Sequence, residues 1–104
     1  MAIATAFIEG RRPAYRLESM KVDTVAYQNG RECRELQSYG PHFPIIMDFT
    51  DGSAFWLNTE RNSATTNRHV KAAEAALNAA GYKPTGDTMM HKGMVFAEYR
   101  LAQG

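Results

Sequence analysis

Within a chain of 104 residues, the side chains best suited to chemistry gather in one stretch, Arg61-Asn62-Ser63-Ala64-Thr65-Thr66-Asn67-Arg68-His69, with Lys71 just beyond it. The stretch opens a predicted helix, and the first-turn N–H groups of a helix have no internal acceptors. Aligned peptide dipoles add roughly half a positive charge at that end. Ser63, Thr65 and Thr66 would contribute hydroxyl donors, while Arg61, Arg68, His69 and Lys71 would contribute cationic or protonatable groups. No acid stands between Arg61 and Ala73. These are the ingredients of a site for phosphate or another anion. They are equally the ingredients of a plain helix start, in which Ser63 caps the first turn and the basic residues are solvated. Both descriptions stay open at the level of sequence.

Other chemistry is thinner. His42, His69 and His91 lack the local spacing of metal ligands. The single cysteine, Cys33, excludes an intramolecular disulfide. It lies within Arg31-Glu32-Cys33-Arg34-Glu35, where arginines favour the thiolate and glutamates oppose it. Gly40-Pro41 and Gly52 fit neither of the glycine-rich nucleotide-binding spacings. Glu32 and Glu35 point to opposite faces of a predicted strand, which suits acid/base work poorly. The sequence therefore assigns no catalytic residue, no metal and no cofactor, and the chain reads as non-enzymatic. Tyr15, Tyr27, Tyr39, Trp56, Tyr82, Phe96 and Tyr99 could stack bases beside Arg16 and Arg31. Their alternation along strands suits core or half-core packing better.

The elements that must position these residues follow from the patterning. Asn29-Gly30 predicts a type I′ turn joining strands at 22–28 and 31–39. A two-residue loop would set Val25 opposite Arg34, Tyr27 opposite Glu32 and Asp23 opposite Leu36. Charges on both faces place this hairpin at a sheet edge, with at most one face half covered. Thr50-Asp51-Gly52 predicts a second turn, between strands at 44–49 and 53–58, with Met47 opposite Trp56 and apolar residues on both faces, as in central strands. From Ser63 the period becomes helical: Val70, Ala73, Leu77 and Ala80 recur at three and four residues. Gly81 suits the left-handed position after the last turn, and Pro84 prevents continuation, so the helix spans about 64–80. Residues 82–92 read as a connection. Residues 94–101 form a last strand with Val95, Ala97, Tyr99 and Leu101 on one face. Residues 1–13 read as a flexible arm or edge strand, and 14–104 as a single α+β domain. Its sheet is mainly antiparallel, of four or five strands, with one main helix packed on a face.

Composition narrows the partners. Hydrophobic residues make up 44% and charged residues 22%, as in an ordinary globular domain. The formal net charge is +1, so no global field captures nucleic acid or a membrane, and any basic site is local. One cysteine suits a reducing cytoplasm. The apolar start, 1–8, is far shorter than the ~20 residues of a membrane span, and Arg11-Arg12 follow it where a signal peptide would put charge first. Edge strands could pair two copies into a homodimer, although the mixed charges of 31–35 could also guard the edge against pairing.

Ser38-Tyr39, the apolar hairpin ending near Asn58, and the run Ser63-Ala64-Thr65-Thr66 with His69 resemble a pattern found in small proteins of tailed bacteriophages. In that pattern a Ser-Tyr dipeptide precedes two strands, and a Ser-x-Thr-Thr-x-x-His segment opens a helix. The match spans roughly 37–77, under half of the chain. Asn62 stands where such proteins often carry Tyr, and Gly40-Pro41-His42 interrupts the first strand. A hydrogen bond between His69 and the Ser38-Tyr39 strand would explain the histidine's place in the pattern. The resemblance implies phage origin and a small α+β fold, and it carries no activity. The expectation is a non-enzymatic accessory or host-takeover protein in the host cytoplasm that binds a host or viral protein complex. Inhibition of a host defence, such as an anti-CRISPR role, is one member of that class. The alternative is a phosphate-recognising nucleic-acid or nucleotide-binding module built on Arg61, Ser63, Thr65, Thr66, Arg68, His69 and Lys71.

Overall fold

Alternating apolar residues in the middle of the chain and a three–four spacing after Ser63 dictate strands followed by a helix, and the computed structural model contains both. It describes Ile8, the backbone of Met20–Ala26, and residues 32–38, 43–49, 54–60 and 64–102, without the side chains of Ala64 and Thr65. In chain order the elements are β1 (Met20–Ala26), β2 (Glu32–Ser38), β3 (Pro44–Phe49), β4 (Phe55–Asn58), α1 (Ala64–Ala79), β5 (Tyr82–His91) and β6 (Met94–Leu101). The strands form one six-stranded sheet in the order β1-β2-β3-β4-β6-β5, antiparallel throughout. Among the described residues α1 packs on it, so the fold is α+β.

Both faces of the central strands are apolar, and each builds its own core. On the helix side Leu36, Ile46, Leu57, Phe55 and Tyr99 meet Val70, Ala73 and Leu77 of α1. The three helix residues share the stripe that their spacing predicts. Ala80 lies beyond the helix and is exposed. Gly81 follows at φ 92°, the left-handed geometry that only glycine adopts without steric cost. On the opposite face Cys33, Met47, Phe49 and Phe96 form a second cluster, edged by Trp56, Met89 and Met94. Met47 stands opposite Trp56, as the second hairpin predicts. Ile8, in helical conformation, is buried in the helix-side core, and it alone of 1–13 lies within the described residues.

Three expectations need correction. Residues 82–92 form a strand, β5, together with the first turn residue, and this adds a sixth strand to the predicted sheet. An edge strand tolerates Pro84, because a ladder runs along only one of its sides. A register shift between Pro84 and Thr88 absorbs the glycine-containing stretch. The turn into β6 is Lys92-Gly93, at φ 54° and 76°, the type I′ signature. The first hairpin is also one residue out of the predicted register, pairing Val25 with Cys33 and Asp23 with Glu35. Shifting a strand by one residue exchanges its faces. Finally, β1 is an edge strand, but β2 is buried on both sides from Glu35 to Ser38. Its polar residues find partners across the sheet, which a single strand's pattern cannot disclose. Among the described residues no helix is long and apolar enough to cross a membrane.

Candidate functional site

The helix stripe that buries Val70 and Ala73 extends back to Thr66 and His69, since 66, 69, 70 and 73 follow the same three–four spacing. Thr66 and His69 are therefore buried against the sheet, while Arg68 and Lys71 are exposed. Opposite them β2 ends at Ser38, whose N–H bonds to the Phe43 carbonyl at 3.0 Å and fixes the strand end. The Ser38 hydroxyl lies 2.8 Å from Nδ1 of His69 and 3.4 Å from Oγ1 of Thr66. The expected hydrogen bond between His69 and the Ser38-Tyr39 strand is present.

The seven sequence-predicted site residues are thus divided. Thr66 and His69 turn inward to Ser38, and Arg68 and Lys71 occupy the opposite side of α1. Arg61 and Ser63 lie outside the described residues, as does the side chain of Thr65. Ser38, Thr66 and His69 are the serine of the Ser-Tyr pair and the second threonine and histidine of the Ser-x-Thr-Thr-x-x-His run. Their types and spacings are those of a clip holding the helix start to the strand end. A Ser–His contact is also the geometry of an activated nucleophile. Here the hydroxyl is fully buried and shared with a threonine, and it ties the strand end to the helix start.

Burial, and secondarily the Arg68 guanidinium, holds His69 below the usual imidazole value of 6.5. The native state thus disfavours the extra proton that the unfolded chain accepts. Stability is fully present above pH 6.5 and is lost as pH falls from there through the folded-state value. Urea unfolding at pH 7.5 and 5.5 should show this loss, and His69→Asn should flatten it. An unchanged pH slope in the variant would remove His69 from the account.

A second polar cluster lies on the other face of the sheet, and sequence reasoning did not find it. Glu35 is fully buried beside Cys33 and Met47. Its Oε2 pairs with Nε2 of His91 at 2.7 Å, and its Oε1 with Nζ of Lys92 at 3.3 Å. Gln37 Nε2 donates to the same Oε1 at 2.8 Å. The available signal was that Cys33, Glu35 and Gln37 share one strand face. Burial, then the Glu35 carboxylate, pushes the Cys33 thiol up to about 11. Such a thiol is a poor nucleophile. Glu98 is held below the ordinary carboxylate range by the Thr85 hydrogen bond first and also by Arg100. Among the described residues no group of three or more His, Cys, Asp or Glu side chains is placed to hold a metal ion. No family model matches the chain, and no curated protein or solved structure is significantly similar to it.

Proposed function

We propose that the chain is a non-enzymatic accessory or host-takeover protein of the phage kind, acting in the bacterial cytoplasm by binding a macromolecule. Inhibition of a host defence, including an anti-CRISPR role, belongs to that class. The observation that carries the reading is the fate of the chemically capable side chains. Cys33, Ser38, Glu35 and His69 are buried and committed to internal contacts, which leaves the exposed side chains to make any contact with a partner. The Ser-Tyr and Ser-x-Thr-Thr-x-x-His resemblance supplies the phage setting.

A second reading, recognition of phosphate on nucleic acid or a nucleotide, keeps Arg61, Ser63, Thr65, Arg68 and Lys71 and gives up Thr66 and His69. In its favour, Arg68 and Lys71 are exposed and the first turn of α1 carries no acid. One experiment separates the two. The immobilised chain, and a variant with Arg61, Arg68 and Lys71 changed to Ala, are exposed to bacterial lysate with and without nuclease. The protein-binding reading expects a retained protein that survives nuclease and the triple change. Retention abolished by both would favour the phosphate reading, with a salt slope of about −0.9 per neutralised phosphate on duplex DNA. A folded chain that retains nothing would overturn both.

A further inference from the structure

The Glu35 cluster joins parts of the sheet that a flat sheet would keep apart. β3, β4 and β6 separate β2 from β5. Four strand spacings of about 4.8 Å put the two backbones roughly 19 Å apart along a flat sheet. His91 and Lys92 nevertheless touch Glu35, so the sheet coils until the β5–β6 turn lies over the second core. Cys33, Met47, Phe49 and Phe96 lie beneath it, with Met89 and Met94 as its underside.

We propose that residues 89–94 form a latched lid: the Glu35 clasp holds it closed, and it opens as a unit, uncovering Cys33, while the helix-side core stays folded. Three features support this, independently of the proposed function. β5 is an edge strand, so lifting its end breaks ladder bonds to β6 alone, together with the contact of Met94 to Asn58. The register shift between Pro84 and Thr88 interrupts that ladder where a hinge is needed. Below it Tyr82 stays anchored edge-on to Phe55, with ring centroids 5.0 Å apart.

The type I′ turn sets Lys92 at φ 54°, and its ammonium reaches Glu35 at 3.3 Å. The closed state also carries a cost. Gln37 Oε1 is buried with no hydrogen-bond partner, and water admitted by an open lid would satisfy it.

Alkylation of Cys33 by iodoacetamide, measured under native conditions across a urea series, tests the lid. Local opening exposes little surface, so the labelling rate should depend on urea far more weakly than global unfolding does. Glu35→Gln should speed labelling about 10- to 100-fold in the absence of urea, the effect of removing hydrogen bonds to a charged group. Lys92→Asn removes the ammonium but tolerates the left-handed turn. It should also speed labelling, with little change in the global unfolding midpoint, and it keeps the test decisive if Glu35→Gln does not fold. Labelling that follows the steep urea dependence of global unfolding in wild type and variants alike would overturn the lid. So would a Lys92→Asn variant indistinguishable from wild type.

Discussion

Phe96→Ala is expected to lower the unfolding free energy by about 3–5 kcal/mol, the usual cost of truncating a buried aromatic residue. That is a large part of the ~5–15 kcal/mol that holds a small domain folded. Phe96 is fully buried at the centre of the second core, and its ring meets that of His91 at a centroid distance of 5.9 Å. Truncation would empty the space between Cys33, Met47 and the lid. Met90, on the same hairpin, is 64% exposed, and Met90→Ala should stay within about 0.5 kcal/mol of wild type. Urea unfolding followed by Trp56 fluorescence measures both, because Trp56 packs at the edge of that cluster. Equal losses from the two substitutions would mean that the second core is not where the structure puts it.

The parts of the fold legible in the sequence are those fixed by short-range pattern. Apolar residues on both faces marked β3 and β4 as central, and the Met47–Trp56 pair followed from the turn between them. The helix was legible from its stripe and from Gly81. β5 was hidden because Pro84, Gly86 and Asp87 are turn residues by type, and only an edge position with a register shift accommodates them in a strand. Its true turn carries a lysine at positive φ, where the local signal favours Asn or Asp. The Ser38–His69 contact was expected only through the resemblance, in which the Ser-Tyr pair and the Ser-x-Thr-Thr-x-x-His run occur together. The Glu35–His91 pair was not. Its members are 56 residues apart in sequence, and only the coiling of the whole sheet brings them together.

Two buried polar groups, Ser38 and Glu35, join elements that no backbone ladder joins, and a third, Asn58, reinforces strands that are already paired. Ser38 ties β2 to α1, and Glu35 ties β2 to the β5–β6 turn. Asn58, also fully buried, ties the end of β4 to β3 and β6. Its Nδ2 donates to the Pro44 carbonyl at 2.8 Å and approaches Sδ of Met94 at 3.2 Å. Its Oδ1 accepts the Glu60 N–H at 2.8 Å, at the exit toward α1.

Asn58→Leu keeps the approximate volume and removes every one of these bonds, leaving the Pro44 carbonyl without its side-chain donor and the Glu60 N–H without its acceptor. At about 1–3 kcal/mol for each unsatisfied buried group, and less where water reaches the exposed Glu60, the expected loss is about 2–4 kcal/mol. Asn58→Asp separates the donor from the acceptor. The carboxylate could still accept from Glu60, but at neutral pH it would set a charged oxygen against the Pro44 carbonyl in a buried site, where an unpaired charge is costly. Asp should therefore be no better tolerated than Leu at pH 7, in urea unfolding read through Trp56. If Asn58→Asp matched wild type, the donor to Pro44 would contribute nothing, and the junction of β3, β4 and β6 would rest on apolar packing alone.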